Sequence, residues 1–296
     1  MNIAVLMTCH NRRGKTLACL ESLRQQTPVP GTELTVWLVD DGSTDGTSEA
    51  VKTLVPSVQL ISGSGSLFWC GGMRVAWQAA AATRPEVYLW LNDDVLLRPG
   101  ALAMLHAAAQ QARSEGRPAQ DRLPGGPARP EVALHPAPEA IIVGSCVSTE
   151  TGELSYGGKR RLGPHPGRIA AIGPGEGLTP CDTFEGNIVW IPAAVYDRVG
   201  NLAPFLHAMG DIDYGYRATR AGFRIFIAPG YLGACSTNAR GGTWEDPALP
   251  RSVRWRKLTG IKGLPPQDWW RFCREHGRMR APLYFISPYG RVLLGR

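Results

Sequence analysis

Short apolar segments alternate with helical patterns through the first hundred residues, and this alternation is what most constrains the fold. Residues 3–7 and 87–91 are almost wholly apolar and too short for helices, which is typical of strands buried on both faces. Leu17, Leu20 and Leu23 recur at helical spacing after the first strand. Strands alternating with helices form βαβ units, so we expect an α/β fold with a mostly parallel sheet. Strands are predicted at residues 3–7, 34–39, 58–61, 87–91, 140–143, 187–191 and 225–228.

Polar turns follow three of these strands at the carboxyl end, where ligands bind in parallel α/β sheets. They are residues 8–12 (TCHNR), residues 40–46 (DDGSTDG) and Asn92-Asp93-Asp94. Adjacent carboxylates such as Asp93 and Asp94 repel each other unless a cation lies beside them. A Mg²⁺ or Mn²⁺ ion bound to a diphosphate would supply that charge. Pairs of aspartates are also common in simple turns and helix caps, so the triplet by itself leaves both interpretations open.

Two further acidic groups have both a structural and a functional interpretation. Residues 40–43 either form an Asx turn that caps the next helix or offer a carboxylate to a nucleobase or ribose. Asp211 either caps a helix predicted at residues 211–221 or acts as a general base that deprotonates an acceptor hydroxyl. On that helix Asp213 and Arg217 are spaced as an i,i+4 ion pair.

Composition divides the chain into a main domain and a C-terminal extension. Residues 113–140 are rich in proline and glycine and predict a flexible loop, and residues 157–177 predict a second mobile loop. Beyond about residue 239 the composition shifts to tryptophan, arginine and proline. We therefore expect a main domain over residues 1–240, with a basic, Trp-rich extension over residues 241–296 packed on it.

The extension carries the positive charge of the protein. The whole chain has a net charge of +7, whereas residues 251–296 hold eleven Lys and Arg against Asp268 and Glu275, a net charge of +9. A basic segment interleaved with tryptophan suits an anionic partner such as a phospholipid surface, a lipid diphosphate or nucleic acid. A solvated basic face explains the same composition equally well.

Hydropathy and cysteine content indicate the compartment. No stretch approaches the roughly 18 to 20 apolar residues that a bilayer span needs, and the N-terminus lacks the pattern of a signal peptide. The seven cysteines are odd in number and have no CxxC spacing, which argues against a disulfide framework and a structural zinc site. We expect a cytoplasmic protein that is at most peripheral to the inner face of the membrane.

Taken in order, the polar turns resemble those of the family 2 glycosyltransferases of the GT-A fold. The resemblance spans roughly residues 1–235 and is carried by residues 8–12, 39–43, 91–94 and 210–213. Residues 65–69 and 184–187 look like the bacterial polysaccharide branch that includes rhamnosyltransferases. The resemblance implies transfer of a sugar, with inversion, from a UDP- or dTDP-sugar to a hydroxyl of a saccharide or lipid-linked acceptor. Such chemistry would serve the synthesis of cell-surface polysaccharide or glycoconjugate.

The resemblance also implies roles for individual residues on the donor side. Those expected to bind the donor nucleotide are Thr8, His10, Asn11, Arg12, Asp41, Gly65, Ser66, Arg74, Asn92 and Asp93. Within this set, Thr8 and His10 match positions that line the base, and Asp41 matches the carboxylate that binds the pyrimidine. Asp93 matches a contact with the ribose, and Arg74 is expected to meet the diphosphate.

The remaining implied roles concern the metal, the base and the acceptor. Asp94 matches the metal ligand of the DxD-type motif, and the ion would be Mg²⁺ or Mn²⁺. Asp211 matches the catalytic base. His207, four residues earlier, and Asp213 are expected to line the acceptor pocket.

Two features depart from the family pattern. The first residue of the DxD-type motif is Asn92 instead of aspartate. Many relatives place a metal-binding histidine after the last strand of the sheet, whereas residues 235–238 read Cys-Ser-Thr-Asn. A third protein ligand for the metal therefore stays unassigned.

Three other functional classes fit the sequence less well than a glycosyltransferase does. A sugar nucleotidyltransferase would have a glycine-rich, Arg-containing loop directly after the first strand, where this chain has residues 8–12. A dinucleotide-dependent oxidoreductase would need GxGxxG there. A nucleic-acid-binding protein would use the basic, aromatic extension, but this explains none of the acidic strand ends. We expect no nucleic-acid partner.

Overall fold

The computed structural model describes residues 1–115, 139–236 and 242–295. Most of the loop expected at residues 113–140 lies outside them, although the helix that begins at Ala101 continues to Ser114. The strands of the described residues are β1 (Asn2–Cys9), β2 (Glu33–Asp40), β3 (Gln59–Ser62), β4 (Val87–Leu91), β5 (Leu96–Leu97), β6 (Ala140–Val147), β7 (Leu154–Tyr156), β8 (Gly158–Arg161), β9 (Ile169–Ile172), β10 (Thr179–Pro180), β11 (Thr183–Phe184), β12 (Ile188–Pro192) and β13 (Arg224–Ala234). The helices are α1 (Arg13–Arg24), α2 (Thr47–Leu54), α3 (Phe68–Ala81), α4 (Ala101–Ser114), α5 (Ala193–Val199), α6 (Gly210–Arg220), α7 (Arg251–Thr259), α8 (Pro266–His276) and α9 (Ala281–Leu293).

A mixed β-sheet forms the centre of the molecule. Its order is β10-β13-β6-β12-β4-β1-β2-β3, with β5 on β13 and β7 on β6. Strands β1 to β4 run parallel, as expected for consecutive βαβ units, and β12 pairs antiparallel with both β4 and β6. The predicted α/β class, a sheet flanked by helices, is therefore confirmed.

The two faces of the sheet bury separate sets of side chains. Along β1, Ile3, Val5 and Met7 face the core that includes residues of α1 and α4. Ala4 and Leu6 face the other core, which is built from α3, α6 and α8 and is rich in aromatic rings. This alternation follows from the two-residue period of a strand. It explains why the first strand is apolar at every position from 3 to 7.

Residues 157–177 contain the two strands β8 and β9, so the prediction of a loop over the whole range was wrong. Strands β8 and β9 pair antiparallel, and β11 joins them in a small second sheet. The backbone groups of this glycine-rich segment find partners in the hairpin, which composition alone does not reveal. The small sheet leads the chain to residues 184–187, next to the candidate site.

The described part of the C-terminal extension packs on the main domain through α8. The Asp268 carboxylate accepts a hydrogen bond from the Leu206 amide at 2.8 Å. Trp269 and Phe272 join the aromatic core on the α6 side of the sheet. Among the described residues, no helix combines the length and the apolar character that a membrane crossing requires.

Candidate active site

The polar turns after β4, β1 and β2 lie side by side at one edge of the sheet. These three strands are neighbours and run parallel, so their carboxyl ends meet. Asn11 fastens two of the turns together, because its side-chain oxygen accepts a hydrogen bond from the Thr44 amide at 2.8 Å. The backbone amide of Asn11 donates to the Ser43 hydroxyl at 2.8 Å. The structure therefore brings these turns together at one edge of the sheet.

Arg12 is the cation that neutralises the acidic turn. Its Nη1 donates to Asp93 Oδ1 at 2.8 Å and its Nη2 donates to Asp94 Oδ2 at 2.7 Å. The Asp93 side chain is only 5% exposed, whereas that of Asp94 is 17% exposed and that of Arg12 is 39% exposed. Burial raises the pKa of Asp93 to about 6, against the opposing effect of Arg12. In this structure the Asp93 carboxylate is held inside by Arg12, and its contact with a ribose stays a prediction.

The Asp94 carboxylate remains able to bind a metal ion at the edge of the site. Mg²⁺ binds through one or two carboxylates together with substrate phosphates and water, so one accessible aspartate suits it. Among the described residues, no cluster of three or more His, Cys, Asp or Glu could hold a metal by itself. Cys235, beside Asp94, is buried, which raises its pKa to about 12 and keeps it a thiol. The residues present thus fit a metal shared between Asp94 and a diphosphate, with no thiolate ligand; residues 237–241, including Asn238, lie outside the described parts.

Asp41 holds the loop after β3 and offers little surface to a ligand. Its two carboxylate oxygens accept hydrogen bonds from the amides of Gly65 at 2.7 Å, Leu67 at 2.9 Å and Phe68 at 3.0 Å. Asp41 is 3% exposed. Asp41 therefore shapes this loop, and its direct contact with a pyrimidine stays a prediction. Gly65 and the neighbouring Ser66 lie exposed on the loop that it shapes.

Two other residues expected to contact the donor are turned away from the site. Thr8 packs against α3, where a Cβ on Gly72 would lie 2.1 Å from its hydroxyl oxygen. This correction was available from the sequence, because Thr8 follows Ala4 and Leu6 on the same face of β1. Arg74 donates from Nε to the Leu202 carbonyl at 3.0 Å, which ties α3 to the segment before α6 instead of meeting a diphosphate.

His10 is exposed and lies over the turn after β2. Its Nδ1 is 2.6 Å from the Asp41 carbonyl oxygen, to which it donates a hydrogen bond. Its Nε2 is then an acceptor, and it lies 3.2 Å from the side-chain nitrogen Nδ2 of Asn11. An exposed ring fixed in this way agrees with the predicted place of His10 beside a nucleotide base.

Asp211 occupies the first turn of α6 and has few polar neighbours. Its Oδ2 accepts a hydrogen bond from the Gly186 amide at 3.0 Å, and its Oδ1 accepts one from the Ile212 amide at 2.8 Å. Burial raises the pKa of Asp211 above its ordinary value, and these two hydrogen bonds oppose the shift. A carboxylate with a raised pKa is a better proton acceptor near neutral pH than an ordinary aspartate.

Trp69 connects the acidic turn to the segment that holds Asp211. Its indole Nε1 donates to the side-chain oxygen of Asn92 at 2.7 Å. A Cβ on Gly186 would lie 2.7 Å from the same ring, so only glycine fits there. The Asn92 amide also donates to the Asn187 carbonyl at 3.0 Å. Nothing in the sequence reveals that Trp69 joins the acidic turn to the segment that holds Asp211.

Asp213 is buried and fully engaged, which corrects its expected role in an acceptor pocket. It is 1% exposed. Its Oδ2 accepts from Arg217 Nε at 2.7 Å, and its Oδ1 accepts from His276 Nε2 at 2.8 Å. Arg220 donates to the other nitrogen of His276 at 2.8 Å. The predicted Asp213–Arg217 pair exists, and His276 of the extension completes a group that fastens α6 to α8.

His207 lies beside Phe68, at the start of α3, and one of its ring nitrogens has no hydrogen-bond partner in the described residues. Its ring makes an edge contact with Phe68, at 6.4 Å between centroids. Its buried Nδ1 has no hydrogen-bond partner within the described ranges 1–115, 139–236 and 242–295. Burial lowers the pKa of His207, so the neutral form is favoured. A buried nitrogen without a partner is costly unless a ligand supplies one, which agrees with the predicted acceptor role.

The sheet order, with an acidic turn at the edge where β4, β1 and β2 end, defines a GT-A fold. Residues 4–116 match the family model described as glycosyl transferase family 2. Among solved structures, the chain is similar to the mannosyltransferase PcManGT from Pyrobaculum calidifontis in complex with GDP-Man and Mn²⁺. That likeness has a TM-score of 0.51 at 17% identity and covers 99% of this chain and 73% of the other.

A second solved structure of similar architecture is S. aureus TarS 1-349 in complex with UDP-GlcNAc. The TM-score is 0.56 at 14% identity, and the match covers 100% of this chain and 81% of TarS. No curated protein sequence matches the chain. At such low identities the solved structures establish the fold, and the family model covers the three polar turns of the N-terminal part.

Proposed function

We propose that this protein is an inverting family 2 glycosyltransferase. It moves a sugar from a UDP- or dTDP-sugar to a hydroxyl of a saccharide or lipid-linked acceptor, and rhamnosyl transfer for bacterial polysaccharide is the particular reaction proposed. The family match over residues 4–116 supports the reaction class. The cytoplasm is the proposed location, with peripheral association at the inner face of the membrane.

The observation that carries this proposal is the junction of the acidic turn with Asp211. These two carboxylate groups are far apart in sequence, yet Trp69 contacts Gly186 and hydrogen-bonds Asn92. Gly186 in turn donates to Asp211. A diphosphate at Asp94 and a base at Asp211 therefore belong to one site, which is the arrangement that displacement at an anomeric carbon requires.

In this mechanism Asp211 removes the proton from the acceptor hydroxyl as the oxygen attacks the anomeric carbon. The bond from that carbon to the donor diphosphate breaks, and the diphosphate oxygen keeps the electron pair. The raised pKa of Asp211 suits it to accept the proton near neutral pH. The Gly186 amide holds the carboxylate in place through its hydrogen bond.

Charge on the departing diphosphate would be balanced at the acidic turn. Mg²⁺ or Mn²⁺ held by Asp94 would supply positive charge to the phosphate oxygens. Arg12 Nη2 lies 2.7 Å from Asp94 Oδ2, and the Arg12 side chain is partly exposed. Its guanidinium can orient Asp94 and add a second positive charge at the leaving group.

A cavity beside α6 supports the choice of a saccharide acceptor. It has a volume of about 260 Å³ and is lined in part by Met209 and Ile212, which flank Asp211, and by Trp244 and Trp269. Flat aromatic walls with a few polar groups are typical of small-molecule sites, and a sugar ring is flat and apolar enough on one face to lie against indole. The cavity adjoins the helix that carries the base, which favours the acceptor over the donor, although Asp211 itself does not line it.

Differential melting with nucleotides tests the donor half of the proposal. UDP, dTDP and GDP, and their sugars, are added with and without Mn²⁺ to the protein and to Asp94→Ala. A true donor at 100 times its Kd raises the free energy of unfolding by about 2.7 kcal/mol. The Mn²⁺-dependent part of that gain should be lost in Asp94→Ala. Absence of stabilisation by every nucleotide, or binding of oligonucleotides in their place, contradicts the proposal.

A further inference from the structure

The outward side of helix α9 is apolar along its length. The exposed residues there are Leu283 at 69%, Ile286 at 59% and Leu293 at 61%, and Met279 at 98% continues the row just before the helix. Their spacing of four, three and seven residues keeps them on one side of a helix. We call Met279, Leu283, Ile286 and Leu293 the apolar row.

The opposite side of α9 already supplies the contacts that hold the helix to the protein. Ala281, Tyr289 and Val292 are buried in the aromatic core, and Pro288 is buried beside them on the helix. An ordinary surface helix turns its apolar stripe inward and its charged side outward. Helix α9 is apolar on both sides, so folding of the chain does not account for the apolar row.

Basic side chains border the apolar row. Arg278 and Arg280 are exposed beside Met279, and Arg291 is exposed near the other end. The surrounding sequence, residues 251–296, has a net charge of +9. Trp270 is 38% exposed and packs edge-on against Phe285 of α9, a position that suits an indole at a membrane interface.

We propose that α9 lies in the interface of an anionic phospholipid bilayer, with the apolar row inserted among the acyl chains and the arginines at the headgroups. Apolar residues flanked by Lys and Arg are the pattern of helices that lie in a membrane surface. Anionic headgroups complement the charge of the rim. A second copy of this chain fits the face less well, because a two-fold contact there would bring the same arginines against each other.

This inference gives a location to the peripheral association proposed above and does not depend on sugar transfer. It also changes the expected part played by tryptophan. Trp269 is 3% exposed and donates from its indole nitrogen to the Phe285 carbonyl at 3.1 Å, so it supports α9 from inside. The side chains of the apolar row, rather than the indole ring of Trp269, face outward.

Cosedimentation of the full chain with vesicles tests the inference. Vesicles of phosphatidylglycerol and phosphatidylcholine are compared with vesicles of phosphatidylcholine alone. The double variant Leu283→Gln/Ile286→Gln should bind the anionic vesicles at least about tenfold more weakly, since two aliphatic side chains lose their burial. The matched control is Leu34→Gln/Met104→Gln, at residues 38% and 40% exposed on β2 and α4, and it should bind as the parent does.

Salt and charge variants separate the two contributions. Binding should weaken at 1 M NaCl, where the screening length falls to about 3 Å, and in Arg278→Gln/Arg280→Gln. Melting temperatures and nucleotide stabilisation are measured in parallel, so a loss of fold or of donor binding is recognised as such. Unchanged vesicle binding in Leu283→Gln/Ile286→Gln overturns the proposal. So does a parent that forms dimers which this variant dissociates, with no vesicle binding by either.

Discussion

Removal of the Arg12 guanidinium should expose the cost of a buried carboxylate. Asp93 is 5% exposed and its pKa is raised to about 6, against an ordinary value of 3.8. At 1.36 kcal/mol for each pKa unit, keeping Asp93 ionised at pH 7 already costs about 3 kcal/mol of folding free energy. Breaking a buried pair costs roughly 3–5 kcal/mol, but Arg12 is 39% exposed and water screens part of this. We therefore expect Arg12→Ala to lower the free energy of unfolding by about 2 kcal/mol at pH 7.

The sign of the pH dependence follows from the raised pKa of Asp93. The folded state holds the proton more tightly than the unfolded state, so the cost builds up as pH rises from about 3.8 to about 6, stays constant above that range and is absent below it. At pH 5 Asp93 is mostly protonated in the parent as well, and Arg12 then pairs mainly with Asp94. The difference between Arg12→Ala and the parent should therefore shrink to about 1 kcal/mol.

Urea unfolding of four proteins measures this effect. They are the parent, Arg12→Ala, Asp93→Asn and the double variant, each at pH 5 and pH 7. Arg12→Ala should cost less in the Asp93→Asn background, because the amide needs no cation. Arg12→Lys is the control that keeps the charge but not the two-pronged contact. An equal cost at both pH values and in both backgrounds would refute the reasoning.

Three further predictions concern Asp211 as the base, Trp69 as the contact between the acidic turn and Gly186, and His276 as the buried partner of Asp213. Asp211→Asn should lower the transfer rate by about 10²–10⁴ and leave nucleotide binding unchanged; in the parent the acid limb of kcat/KM should lie above pH 3.8, and a limb at or below it contradicts the raised pKa. Trp69→Phe should lose the hydrogen bond to the acidic turn, worth about 1 kcal/mol, and lower kcat. Trp37→Phe is its control, because the buried Trp37 Nε1 has no partner in the described residues; equal effects of the two changes would argue against a link through Trp69. His276→Ala should destabilise the protein by about 2–4 kcal/mol in chemical unfolding, since Asp213 loses a buried partner, and a cost below 1 kcal/mol would contradict this.

The C-terminal extension shows how local patterns mislead about exposure. Tryptophan and arginine alternate along its sequence, yet Trp255 and Trp270 are 37% and 38% exposed, whereas Trp269 is buried and the apolar row of α9 is exposed. Helical periodicity can find the two sides of α9, yet both are apolar. Only the packing of α8 and α9 on the aromatic core decides which side faces outward.

The sequence by itself determined seven strands of the large sheet, the βαβ order of the first four and the acidic turns at their ends. Burial on both faces forces an apolar run, and a turn at a strand end needs residues such as Asn, Asp and Gly, so both leave a local signal. Tertiary structure alone decided the partners of those turns. Arg12 meets Asp93, Trp69 meets Asn92 and Gly186, and His276 meets Asp213. These contacts depend on strand order and helix packing across the whole chain, and the spacing of residues along a sequence carries no record of which distant side chain will lie within 3 Å.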